Sequence, residues 1–184
     1  MISSVFGKTK PIIHVLVLVF LTLIFSLARW RWQPRPISAA EVPGILLSLA
    51  TLLASVLLLH FIIQRNRLTA THGYSLFFFG MLCAGFPRVL VYSDGIYANF
   101  FFLLALRRFL SMQSLRRIAA KLFDGFLWLL VSSLFVKWTL FMLPLGLVFL
   151  YVYQPKVFRH WLVPLASLAV FLLVAYGVSI LMGR

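Results

Sequence analysis

The sequence predicts an all-α protein: a polytopic bundle of about seven transmembrane helices with its N-terminus on the cytoplasmic side. Three observations predict it. Of 184 residues, 63% are hydrophobic and 11% charged, against about 45–50% and about 25% in soluble domains. The apolar residues fall into runs, several of them near the roughly 20 residues needed to cross a bilayer core. The charge is lopsided, 17 Lys and Arg against 3 Asp and Glu for a net +14, and its clusters lie between the runs, where membrane proteins use basic residues to set sidedness. That placement argues against nucleic acid as the partner of the charge. The single cysteine, Cys83, excludes an internal disulfide and a multi-cysteine metal site.

The first run, residues 12–28, follows Lys8, Lys10 and Pro11 and ends at Arg29-Trp30-Arg31-Trp32. It exceeds the apolar stretch of a signal peptide, about 7–15 residues, and no small-residue cleavage site follows it, so it reads as a retained span. The second, 44–63, opens after Pro43, tolerated there because the donor it lacks has no partner in a first helical turn. Gln64-Arg65-Asn66-Arg67 closes it. The third, 74–86, stops at Pro87-Arg88, since proline removes a helix donor and disfavours a helical residue before it. The fourth, 95–110, carries Arg107 and Arg108 in its last turn. Both are short, and they fit either two spans or a re-entrant pair.

Leu115, Ile118, Ala119 and Leu122 then fall on one side of a helix, away from Arg116, Arg117 and Lys121. That pattern predicts a short interfacial helix with its apolar side among the headgroups. Residues 123–153 would make one helix of about 45 Å against a core of about 30 Å, so the stretch reads as two spans, 123–136 and 138–153, turning near Lys137. A last span covers 161–182. All seven form one integral membrane domain, 1–184.

Sidedness follows from the basic residues of alternate connections. With the N-terminus cytoplasmic, the inner segments carry eleven (Lys8, Lys10, Arg65, Arg67, Arg107, Arg108, Arg116, Arg117, Lys121, Lys156, Arg159) and the outer segments six (Arg29, Arg31, Arg35, Arg88, Lys137, Arg184). The outer six are the anomaly. A basic outer loop beside a membrane suits an anionic lipid, which makes Arg29, Arg31, Arg35, Arg88 and Lys137 the candidate phosphate-binding residues.

An ionisable side chain in or beside a membrane is a functional candidate by default. Arg88, Asp94 and Lys137 share the outer side and admit two readings. In one, Arg88 and Lys137 hold a phosphate beside Asp94. In the other, Arg88 and Asp94 pair within their loop while Lys137 snorkels beside Trp138. Asp124 suits a helix start, as a cap or an ion pair with Lys121. His14 and His60 lie within spans near one face of the membrane, and would meet only if their helices are neighbours. Paired heme ligation by them is the sharp reading and polar packing the bland one. His72 and His160 lie in connections. No histidine pair has the spacing and carboxylate support of a metal site, and the chain predicts no metal and no cofactor. There is no phosphate-cradling glycine loop, no Ser/His/Asp set in an extramembrane domain and no nucleic-acid-binding motif.

The start Met1-Ile2-Ser3-Ser4-Val5-Phe6-Gly7-Lys8-Thr9-Lys10-Pro11, the segment Asn99 to Arg108 and the later Lys121-Leu122-Phe123-Asp124 resemble an uncharacterised family of Bacteroidota polytopic inner-membrane proteins that opens on a variant of F-G-K-x-K-P. The resemblance implies a multi-pass protein of the bacterial inner membrane. Members of that family are longer, so this chain reads as a short member or a fragment. More loosely, Tyr74 to Pro144 is similar to the membrane core of the type C glycosyltransferases, which use polyprenyl-phosphate sugar donors. That likeness implies a catalytic acid at Glu41 or Asp94, with Arg88 and Lys137 on the lipid phosphate. The chain departs from the transferase pattern in its first outer loop, which is short and holds three arginines and one acid, Glu41. Two residues before Pro43, at the mouth of the second span, Glu41 also suits the positive end of the helix that follows.

Three functional classes follow. The first, favoured by the near absence of extramembrane mass, is a non-catalytic membrane subunit or scaffold with other integral membrane proteins as partners, binding an anionic phospholipid or polyprenyl phosphate at its outer face. The second is a glycosyltransferase-like protein, active or degenerate. The third is a small transporter, ranked last because transport sites usually lie near mid-membrane.

Overall fold

The computed structural model describes residues 11–33, 38–67, 74–153 and 158–181. Residues 6–10 of the F-G-K-x-K-P start, Arg35, His72, Lys156 and Arg184 lie outside them. The described chain is helical throughout: α1 (Pro11–Trp32), α2 (Val42–Arg65), α3 (Tyr74–Gly85), α4 (Ser93–Leu110), α5 (Ile118–Phe135), α6 (Leu143–Tyr153), α7 (Phe158–Trp161) and α8 (Val163–Leu181), with 3-10 turns at Pro87–Leu90, Ser111–Ser114 and Lys137–Met142. Four helices are long and apolar enough to cross a membrane: Ile12–Trp32, Val42–Arg65, Ile118–Phe135 and Arg159–Leu181. Tyr74–Gly85 and Lys137–Tyr153 are shorter and apolar. The protein is an all-α, multi-pass membrane protein.

The chain forms two compact units, residues 1–100 and 101–184. In the first, α1 buries Ile13, Val17, Leu21 and Phe25, one residue every four and therefore one stripe along the helix. The stripe packs on Val56 and Leu76 towards the start of α1, and on Leu52, Leu90 and Ile96 towards its end. Ser48 and Ser55 of α2 are fully buried. Each returns its hydroxyl proton to its own helix, Ser48 Oγ to the Ile45 carbonyl at 2.9 Å and Ser55 Oγ to the Thr51 carbonyl at 2.8 Å. Small residues that satisfy themselves in this way let neighbouring helices approach in lipid.

In the second unit α5 is the central helix. It packs Leu122, Phe126 and Leu129 against Phe109, Met112 and Leu150. Phe109 meets Phe126 edge to face at 5.4 Å and stacks on Phe149 at 5.8 Å.

The separate interfacial helix expected at 115–122 does not form. Leu115 and Arg117 adopt left-handed backbone, φ 53° and 50°, and α5 begins at Ile118, continuous with the span. Ile118 and Leu122 are buried in the core because that apolar side packs on protein. Lys121 closes the junction, its Nζ donating to the Ser111 carbonyl at 2.7 Å and to Ser114 Oγ at 2.6 Å. Asp124, one turn further along α5, pairs with Arg108 at 3.1 Å and neither caps the helix nor pairs with Lys121.

Candidate functional site

Polar and interfacial residues of the first unit gather where α1 ends. The sequence Arg29-Trp30-Arg31-Trp32 continues the apolar run as helix, so its four side chains are displayed around one turn. Arg29 points inward. One guanidinium nitrogen donates to Gln33 Oε1 at 3.2 Å, its carbon stands 5.1 Å from the centroid of the Phe25 ring, and Glu41 is its opposite charge. Its Nε is buried without a hydrogen-bond partner among the described residues. Arg29 is therefore committed to bracing the turn. Glu41 stands before α2 without a side-chain hydrogen bond to the helix start.

Arg31 points outward and lines a cavity of about 320 Å³ with Trp30, Trp32, Leu27, Ala84 and Pro87. The wall opposite α1 comes from the end of α3 and the Pro87–Leu90 turn. The turn that starts at Pro87 carries Arg88 as its second residue, outside the cavity's lining. Arg88 is exposed, and so is Asp94 in the first turn of α4. No ion pair or hydrogen bond joins them, and neither finds another partner among the described residues. The within-loop pair expected of Arg88 and Asp94 is absent.

The far side of the same turn closes a second cavity of about 290 Å³, lined by Leu52, Phe79, Cys83, Val89, Ile96 and Asn99. Its lining is almost wholly apolar. Both cavities are mostly apolar, and the first differs in carrying Arg31 and two tryptophans.

Of the residues singled out by sequence, Arg31 lines the groove while Arg88 is not among its lining residues, Arg29 and Glu41 are electrostatic neighbours, and no ion pair joins Asp94 to Arg88. Lys137 belongs to the second unit, exposed at the start of its 3-10 turn, where Trp138 stacks on Phe141 at 5.5 Å. Of the groove's other lining residues, Trp30, Trp32 and Ala84 are not among those the sequence singles out as site residues. The Trp-Arg alternation at the span end was their one sequence signal. Among the described residues no group of three or more His, Cys, Asp and Glu comes together.

Helices of this length and apolarity define a multi-pass membrane protein, and its first unit carries a mostly apolar groove in which one arginine stands beside two exposed tryptophans. No protein-family model matches this chain, and no curated protein or solved structure matches it.

Proposed function

We propose that the chain is a non-catalytic integral membrane subunit of a larger inner-membrane assembly, and that its Arg31–Pro87 groove holds the phosphate of an anionic lipid. The observation that carries the lipid reading is the groove's composition: Arg31, without an ion-pair partner among the described residues, beside two tryptophans whose amphipathic rings belong at headgroup level, with Arg88 one residue beyond the lining Pro87 in sequence. A guanidinium offers paired donors to a phosphate and keeps its charge in any environment. A phospholipid and a polyprenyl phosphate present the same group there.

In this reading the chain crosses the membrane seven times with its N-terminus cytoplasmic, so the groove opens outward. The excess of eleven basic residues over six on alternate connections supports that orientation. The subunit role is supported by the last long helix: only 6% of its most apolar window is buried, with Leu173 and Tyr176 among its outward side chains. Such a surface is open to lipid and to partner helices alike, and the subunit reading assigns it to partners.

The test is affinity capture from native membranes, comparing the wild-type chain with Arg31→Gln/Arg88→Gln and analysing lipids and proteins in the same eluate. The proposal expects stoichiometric co-purifying membrane proteins with both forms, and phosphate-bearing lipid enriched with the wild type. A chain recovered alone, with equal lipid in both forms, contradicts it.

A further inference from the structure

At the other end of α1, His14 meets His60 of α2, with ring centroids 4.6 Å apart and ring planes at 76°. His60 is 7% exposed, and neither of its ring nitrogens has a hydrogen-bond partner among the described residues. Buried polar groups in proteins ordinarily find a partner, and an ionisable side chain between membrane helices marks a functional site by default. Around the pair the packing is apolar, from Ile13, Val17, Val56 and Leu76, with Tyr74 against the same cluster.

We propose that His14 and His60 form a binding site for one borderline transition-metal ion of the zinc, nickel or copper class. Neutral imidazole is the ligating form, and imidazole suits these ions. The spacing fits two ligands held side by side on one ion: with metal–nitrogen bonds of about 2.0–2.1 Å, cis rings have centroids about 4.5–5 Å apart. Heme ligated on both faces requires trans rings about 6 Å apart with a macrocycle between them, so the close contact excludes that reading of the pair.

The position of the pair supplies access. His14 lies in the first turn of α1 and is partly exposed, and His60 precedes the end of α2 at Arg65 by five residues. The ion is reached from the helix ends and not through lipid. Among the described residues no third His, Cys, Asp or Glu joins the two histidines. The two histidines supply two of the ion's positions, and the described residues leave the others open to water, a small anion or a further ligand. The site does not depend on the lipid groove: it stands 17 residues from Arg31 along α1, about 25 Å.

The probe is Cu2+ added to the full chain in nanodiscs and read by electron paramagnetic resonance. One ion per chain with hyperfine coupling to two imidazole nitrogens is expected. The coupling falls to one nitrogen in His14→Gln or His60→Gln, with affinity at least about tenfold weaker. A His160→Gln variant keeps the two-nitrogen spectrum, and unfolding midpoints like that of the wild type show that the His14 and His60 variants are folded. Excess Zn2+ displaces the signal. A wild-type chain that binds no Cu2+, a spectrum unchanged in the His14 and His60 variants, or one lost in the His160 variant overturns the site and leaves the two rings as interhelical packing.

Discussion

The Phe109 ring lies directly over Gly125: a Cβ added at that glycine would stand 2.5 Å from Phe109 Cε1. Gly146 repeats the relationship, its added Cβ falling 2.6 Å from Phe126 Cζ. Phe109 and Phe126 are at most 2% exposed and touch each other, so neither ring has room to withdraw. The second unit is locked by aromatic rings seated on bare backbone, a use of glycine that lets helices approach closely in lipid.

Gly125→Ala and Gly146→Ala should each lower stability by about 1–3 kcal/mol, the usual cost of overpacking a filled core. Gly177→Ala on α8 is the control, because nothing lies within 4 Å of the added atom. It should be neutral or stabilising by about 0.5–1 kcal/mol, as alanine is the better helix former. Thermal unfolding in one mild detergent ranks the three.

Lys121 and Asp124 both carry charge near the start of α5, yet their removal should differ. Lys121→Met strips two charge-assisted hydrogen bonds from the turn at Ser111–Ser114 and should cost about 1–3 kcal/mol. Asp124→Asn breaks an ion pair whose side chains are 47% and 38% exposed, so its cost should stay within about 1 kcal/mol and shrink with added salt. Unfolding midpoints of both variants at low and high salt check the order.

The proposed orientation gives a labelling pattern. In a Cys83→Ser background, a cysteine at Leu115 should react with an impermeant maleimide only from the cytoplasmic side. One at Trp138 should react only from the outside. Both positions are well exposed on the protein, 60% and 75%, and labelling of each from both sides after permeabilisation separates sidedness from shielding by lipid. The pattern is the same whether 74–110 makes two spans or a re-entrant pair.

Much of the helix order was legible, because prolines and basic clusters punctuate an otherwise apolar chain. Pro43, Pro87 and the Arg29–Trp32 cluster each mark a boundary that the structure keeps to within a few residues. The start of α5 was misread because Ile118 and Leu122 look the same in sequence whether they face headgroups or protein. A membrane helix is apolar on both faces, so its periodicity says little about which side is packed. The same ambiguity hid the seating of Phe109 on Gly125 and the groove between Arg31 and Pro87, both of which join residues far apart in the chain. His14 and His60 were visible as candidates, but their meeting depended on α1 and α2 being neighbours, and one sequence does not carry that information.

The lipid groove is tested most directly by native mass spectrometry of the detergent-solubilised chain titrated with phosphatidylglycerol, a polyprenyl phosphate or phosphatidylcholine. The expected result is one tightly retained anionic lipid per chain, not displaced by phosphatidylcholine, and weakened at least about tenfold by Arg31→Gln/Arg88→Gln, in keeping with loss of charge-assisted phosphate contacts. Equal retention of anionic lipid and phosphatidylcholine, or retention unchanged in the double variant, would contradict it.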